Sequence, residues 1–424
     1  MISIAIYCPV HTPKVSYVFD FIFAIAPNLS FNLTHNYEKF ASSDSEILIN
    51  YSNKVSASAI NIPYSDNLNS RQSPDFEAEL ILSDKTLNFD LIAAIFHLLS
   101  RVEEYDALDK DEHGRYQSAS SILNEKNLLQ KPIVDIWVSE FYKMLSSYYS
   151  IDLRSGHKFN VVSTVDIDHI YAFKGKSLAV RTGSIIKDLL TVNVQKLKDR
   201  LASDDPFDTY AYIVECHMIN ELDCRFFILT SERSQYDKSL SPDHPMFLKV
   251  VDTLALDNEI GIHPSYDTYN DPQLIRSQKQ RLEKIIDRPI SASRQHFLRM
   301  DLPHTYSHLI ESGITEDYSM GYPDVLGFRA GTSRAYKWYD ISQDQVTDLI
   351  IHPFALMDVT LRRVSDGNTT KAFELARALV DEIKAVGGTF SLIWHNSSFY
   401  DTEGWAGWDK VYAEILTYAK SQIM

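Results

Sequence analysis

Seven residues able to do chemistry stand at the ends of short apolar runs in the second half of the chain. VVSTV runs into Asp166 and Asp168, EIGI into His263, and ISAS into Arg294 and His296. LGF ends in Arg329, and FSLIW in His395. A strand, a polar residue at its tip and then a helix is how alternating strands and helices build a site, because residues distant in sequence meet at the C-terminal rim of the strands. Carboxylates, imidazoles and guanidiniums meeting there point to metal-assisted hydrolysis more than to structural pairing.

Asp166 and Asp168 are two residues apart, so on a continuing strand their side chains share a face. Two such carboxylates raise each other's pKa unless a cation lies between them. A divalent metal on one would relieve this and leave the other as a base; a solvated acidic loop or helix caps are the plainer reading. His263 follows an apolar strand and precedes Pro264, where the chain must turn. An imidazole there suits zinc, although a structural histidine is the commoner case, and Asp267 fits a second ligand or a helix cap equally. Arg294 and His296 again share a face, so His296 can complete a metal shell with Asp168 and His263, or can simply pack. Arg294 can fix a neighbouring carboxylate through paired hydrogen bonds. His395 can protonate a leaving group. Arg299, Arg329 (between Gly327 and Gly331), Trp394 and Asn396 lie near these tips and are expected to contact substrate. Trp394, Trp405 and Trp408 suit either a sugar-stacking platform or the core.

The elements that must position these groups differ along the chain. Residues 1–155 read as a smaller α/β unit: a strand at Ile2–Tyr7, irregular Asn/Ser-rich sequence over Asn28–Ser70, and helices over Asp90–Tyr105 and Pro132–Tyr148. The boundary falls in the polar stretch Asp152–Lys158. From 156 to 424 strands and helices alternate. Strands are expected at FNVVSTV, RFFILT, EIGIH, the run ending in SRQH, and TFSLIWH. Helices are expected over 180–203, Phe247–Leu256, Asp271–Pro289, His304–Ser312, Thr370–Val386 and Trp408–Ser421. Such alternation implies parallel strands with right-handed crossovers, hence an α/β layered or barrel fold.

The 424 residues carry a formal net charge of −16, which opposes binding to nucleic acid or anionic membrane surfaces. The longest apolar stretch, Leu91–Leu99, is about half the ~20 residues needed to cross a bilayer, so no membrane insertion is expected. The start, MISIAIYCPV, lacks a basic region and a small-residue cleavage site, so a cytoplasmic protein is expected. With three cysteines and no C-x-x-C pair, disulfides and cysteine zinc sites are not expected. The sequence specifies no oligomeric state.

Residues 159–424 resemble the polysaccharide deacetylases, the NodB-like carbohydrate esterases. Thr164-Val165-Asp166-Ile167-Asp168 is similar to their Thr-Phe-Asp-Asp-Gly motif with one residue inserted. His263-Pro264-Ser265-Tyr266-Asp267 keeps only the first histidine of His-Ser/Thr-x-x-His. Arg294 matches the arginine that orients the base, and His395 the histidine that protonates the leaving amine. LLSRVEEYDALDKDEHGRY and GFRAGTSRAY look like a divergent bacterial subgroup with a separate N-terminal domain. The resemblance implies a distorted (β/α) barrel with Asp166 as base and a divalent metal, zinc above others, on Asp168, His263 and the substitute His296. It also implies a carbohydrate substrate that loses an N- or O-linked acetyl group, in polysaccharide or cell-envelope metabolism. The departure at Asp267 leaves two rivals: a catalytically inactive carbohydrate-binding module, and a metal-free cyclic amide hydrolase.

Overall fold

The computed structural model describes residues 1–26, 28–153, 156–176, 204–400 and 404–423. The helix expected over 180–203 lies outside the described residues. Two sheets organise the chain. The first contains β1 (Ile2–Tyr7), β2 (Leu29–Thr34), β3 (Ile47–Tyr51), β4 (Ile60–Ile62), β5 (Leu82–Ser83) and β6 (Thr86–Leu87), in the order β2-β1-β3-β4-β6-β5. It is parallel except for the β5–β6 pair. The stretch Asn28–Ser70 is therefore not irregular. Its strands are short, and Asn50 and Asn61 are polar yet buried, joined by a 2.7 Å hydrogen bond from Asn50 Nδ2 to Asn61 Oδ1. That pairing hides the strand signal.

The second sheet has nine strands: β7 (Asn160–Ile167), β8 (Cys224–Ile228), β9 (Glu259–Ile262), β10 (Ala292–Ser293), β11 (Glu316–Asp317), β12 (Tyr336–Asp340), β13 (Gln345–Ile351), β14 (Leu356–Met357) and β15 (Thr389–His395). Their order is β12-β13-β11-β10-β9-β8-β7-β15-β14. Only β12 runs antiparallel to its neighbour, so the carboxyl ends of the others share one rim. The sheet curls into a half-barrel and does not close as a barrel: its edge strands β12 and β14 are not paired with each other. The LGF run is no strand at all. It is a loop in which Phe328 N donates to Leu129 O at 2.7 Å. Gly327 has φ +120°, and a Cβ there would sit 2.1 Å from Leu129 O, so only glycine fits.

An open parallel sheet must protect its edge. Here the amino-terminal unit does so: Tyr17 Oη donates to Lys337 O on β12 at 2.7 Å, and Tyr17 and Phe96 pack on Tyr339 with ring centroids 5.2 and 5.1 Å away. The helix Leu91–Ser100, capped by Asp90 accepting from Ala93 N, stops short of the expected Tyr105 because Arg101 turns left-handed (φ 55°). That turn delivers Arg101 to Glu104, 2.7 Å from Nε to Oε1. Glu104 is also gripped by Arg329 through Nε at 2.8 Å and through Nη2. Asp135 forms a second clasp, accepting from Thr332 Oγ1, Ser333 and Arg334 Nε. The three cysteines are buried thiols. No helix among the described residues is long and apolar enough to cross a membrane.

Burial opposes ionisation of Glu104, but Arg329 and Arg101 outweigh it and hold the carboxyl down at about 2. Its contribution to stability is therefore complete above pH 4.5 and is lost as pH falls toward 2. Breaking a buried pair strands the remaining charge and costs about 3–5 kcal/mol. Glu104→Gln is expected to lower unfolding free energy at pH 7 by that amount in urea denaturation; a loss below about 1 kcal/mol would refute the clasp.

Candidate metal-dependent active site

Register brings the strand tips together. His395 on β15 lies beside Asp166 on β7, and Asp166 lies beside Phe227 on β8. His263 follows β9 and donates its N–H to Ile228 O, while Arg294 follows β10 and donates to Ile262 O, each at 3.0 Å. Asp168 lies just beyond β7. Adjacent parallel strands thus deliver the carboxylates, imidazoles and guanidinium of four segments to a single rim.

Asp168 is the centre of this group. Its Oδ1 is sealed from solvent and has no hydrogen-bond partner. It faces His263 Nε2 at 3.2 Å and His296 Nε2 at 3.6 Å. The second nitrogen of each ring is occupied: His263 Nδ1 contacts Arg294 O at 2.5 Å, and His296 Nδ1 contacts Asp237 Oδ1 at 2.8 Å. A carbonyl and a carboxylate can only accept, so Nδ1 carries the hydrogen in both rings. In the neutral tautomer the Nε2 lone pairs then turn toward Asp168. Outer partners of this kind orient ligating histidines in metal sites.

The donor set fits a divalent metal. Three ligand atoms from Asp168, His263 and His296 lie within 4.8 Å of one another. Ligand atoms around a tetrahedral zinc lie roughly 3.3 Å apart, close to the separations here. Electrostatics agree. Burial lowers the basicity of His296, but Asp168 and Asp237 raise it to about 9. Burial likewise opposes ionisation of Asp168, yet His296, His263 and His395 hold it well below the usual carboxylate range. The half-buried carboxylate, with Oδ1 sealed from solvent, demands positive charge beside it, from a proton on imidazole or from a metal cation.

Two further groups flank Asp168. Asp166 is buried, 3.9 Å from His263 Nε2, and accepts from Arg294 Nη1 at 3.2 Å. Arg294 is fixed in turn by Tyr318 O at 3.1 Å and by the Phe227 ring. On the other side, His395 Nε2 lies 3.9 Å from Asp168 Oδ2. Asp358 clamps His395 twice, accepting from its Nδ1 and its backbone N–H at 2.8 Å each. Burial opposes protonation of His395, but Asp358, Asp168 and Asp166 push it up to about 10. The ring is thus cationic at neutral pH and can donate a proton from Nε2. Asp166, Asp168, His263, His296 and His395 open on one cleft of about 390 Å³, with Arg294, Asp237 and Asp358 behind them.

Four residues expected at the substrate lie elsewhere. Arg329 is buried in the Glu104 clasp. Arg299 spends Nε on His113 O and Nη1 on Tyr266 O, between the Tyr266 and Tyr269 rings. Trp394 is wholly buried against Trp408 and Tyr412, so it offers no platform for a sugar. Asn396 is buried and donates to His169 O and Phe207 O. Asn396 is one residue past β15 and Trp394 lies within it facing the core, whereas Arg299 and Arg329 stand in loops that turn them away from the cleft. Asp267 is exposed and caps a turn, accepting from Asn270 and Asp271 through its backbone.

Two supporting residues escaped the sequence reading. Asp358 stands at the tip of β14, the same signal as at the other strands, but β14 is two residues long. Asp237 lies in the irregular segment between β8 and the helix Pro245–Asp257, where no periodicity marks it.

Residues 4–150 match the profile of a family of unknown function, DUF7033. No curated protein sequence matches the chain. Among solved structures, a protein of Mycobacterium smegmatis assigned as a polysaccharide deacetylase is 16% identical, with a TM-score of 0.40, over 63% of this chain and 86% of that one. A polysaccharide deacetylase of Bacillus cereus is 9% identical, with a TM-score of 0.31, over 60% and 86%. A 4-alpha-glucanotransferase of Thermococcus litoralis is 12% identical, with a TM-score of 0.37, over 62% and 38%. Likenesses this distant decide nothing about activity, and the site must carry the argument.

Asp237→Asn keeps the size of the side chain but weakens its grip on His296. It is expected to lower zinc affinity about 10- to 100-fold in competition with a chromophoric chelator. Asp267→Ala is expected to leave affinity unchanged. Equal affinity in wild type and Asp237→Asn would show that Asp237 does not orient a ligand.

Proposed function

We propose that the protein is a metal-dependent hydrolase that removes acetyl groups from a carbohydrate. One observation carries the reading: Asp168 faces the Nε2 atoms of two histidines, with an arginine-held carboxylate and an Asp358-held imidazole beside it. Asp168, His263 and His296 would hold the metal, and zinc suits two imidazoles and a carboxylate with an open position. When bound, it supplies a Lewis acid that polarises an acyl carbonyl and acidifies water.

The chain's own groups divide the proton work. Asp166 accepts a proton from water at its free oxygen, while Arg294 holds its other oxygen in place. His395 delivers a proton from Nε2 to the departing nitrogen or oxygen, and Asp358 steadies the ring and its charge. A base and an acid held at neighbouring strand tips beside Asp168 suit acyl transfer to water. His296, held by Asp237, takes the part of the imidazole missing at Asp267, which answers the motive for an inactive-module reading.

Asp166→Asn is expected to lower acetyl release from acetylated oligosaccharides about 10²- to 10⁴-fold while metal content stays at the wild-type level. Unchanged activity in that variant would sink the hydrolase reading.

A further inference from the structure

The cleft is not built by the half-barrel alone. A hairpin of the amino-terminal unit, closed by an antiparallel bridge between Lys110 and Tyr116, supplies His113 and Arg115 to its wall. The hairpin is internally rigid: Asp111 Oδ1 accepts from His113 N and Arg115 N at 2.9 Å each, and Gly114 turns at φ +76°. It is also pinned to the rim. Arg115 Nη1 donates to Phe297 O at 2.9 Å, Arg299 Nε donates to His113 O at 2.7 Å, and Lys110 pairs with Asp301. Phe297, the neighbour of His296, has a left-handed backbone (φ 61°) and packs on His113 with ring centroids 5.0 Å apart. A non-glycine residue in that conformation is costly and persists only where its surroundings enforce it.

Charge accounting then distinguishes one wall. The carboxylates of the cleft and those behind it already have cationic or imidazole partners: Asp166 has Arg294, Asp168 has His263 and His296, Asp237 has His296, Asp358 has His395, and Asp111 has Arg115. Arg363, on the helix Asp358–Val364, lines the same cleft and is exposed. Among the described residues its hydrogen bond goes to a neutral group, Pro323 O, at 3.3 Å, and no carboxylate pairs with it. Arg115 has likewise spent Nε on Asp111 and Nη1 on Phe297 O, with no partner for Nη2. A chain with a net charge of −16 thus places in this cleft one guanidinium, Arg363, that no carboxylate among the described residues pairs with, and a second, Arg115, that is paired with Asp111 but has Nη2 unengaged among the described residues.

Resting on the hydrolase reading, we propose that Arg363 and Arg115 form an anion subsite, and that the substrate is an acetylated sugar bearing a carboxylate or phosphate near its acyl group. The amino-terminal hairpin would then determine specificity. Guanidinium groups recognise such anions through charge-assisted, paired hydrogen bonds.

The test is binding to the full-length, zinc-loaded protein by titration calorimetry. The probes are a partially O-acetylated oligogalacturonate, N-acetylglucosamine 6-phosphate and neutral chitotetraose. At least one anionic probe is expected to bind about tenfold more tightly than chitotetraose, with an advantage that shrinks as salt rises. Whichever anion wins identifies the group recognised. Arg363→Gln is expected to erase most of that advantage while leaving chitotetraose binding unchanged; Arg115→Gln, which also frees the hairpin from Phe297 O, is expected to erase the advantage as well. Arg363 is exposed, so its variant has little reason to misfold. Equal binding of neutral and anionic probes, binding of none, or a uniform loss in the Arg363 variant would overturn the subsite. Preferential anion binding without acetyl release from any probe would instead sink the hydrolase reading and leave the subsite standing.

Discussion

Two carboxylates two residues apart at the tip of one buried strand cannot both stay ionised without positive charge beside each. Much of the described structure answers that constraint. Arg294 comes from β10 to satisfy Asp166, and His263 and His296 come from β9 and β10 to satisfy Asp168. The supply must come from neighbouring strands, because only adjacent tips lie close enough. The parallel order of β7 through β11 is therefore as much a requirement of the site as of the core. Behind the imidazoles stand fixed acceptors, Arg294 O, Asp237 and Asp358, which leave each ring one working nitrogen.

Long elements were legible in the sequence. β1 and β15 occupy the expected residues, and the helices Ile133–Tyr149, Thr369–Ala385 and Trp408–Ser421 differ from expectation by at most one residue at each end. These segments carry their own period and their own stops. The short apolar strands β9 and β10 were legible, but β3 and β4 were not, because they bury Asn50 and Asn61, whose mutual hydrogen bond exists only once the sheet has formed. The antiparallel pair β12–β13 went unassigned, since its outer face is polar and its inner face is covered by the amino-terminal unit rather than by a helix of its own.

The site was legible where a charged residue ends an apolar strand, and misread where the same look had another cause. Arg101, Glu104 and Arg329 stand in two of the most distinctive segments, yet they face one another across the two units and not the cleft. A buried ion pair and a catalytic pair present the same residue types. Only the partner's position separates them, and a partner 225 positions away leaves no local mark. Asp237 illustrates the converse: its importance lies in what it holds, and an irregular segment gives it no pattern to be recognised by.

The central claim is that Asp168, His263 and His296 form a metal centre. Elemental analysis of the purified protein, comparing wild type with His263→Ala and His296→Ala, tests it most directly. About one zinc or similar divalent ion per wild-type chain is expected, lost from both variants with the fold retained. A wild-type protein that holds no metal even after reconstitution, or a His296→Ala variant that holds as much as wild type, would contradict it.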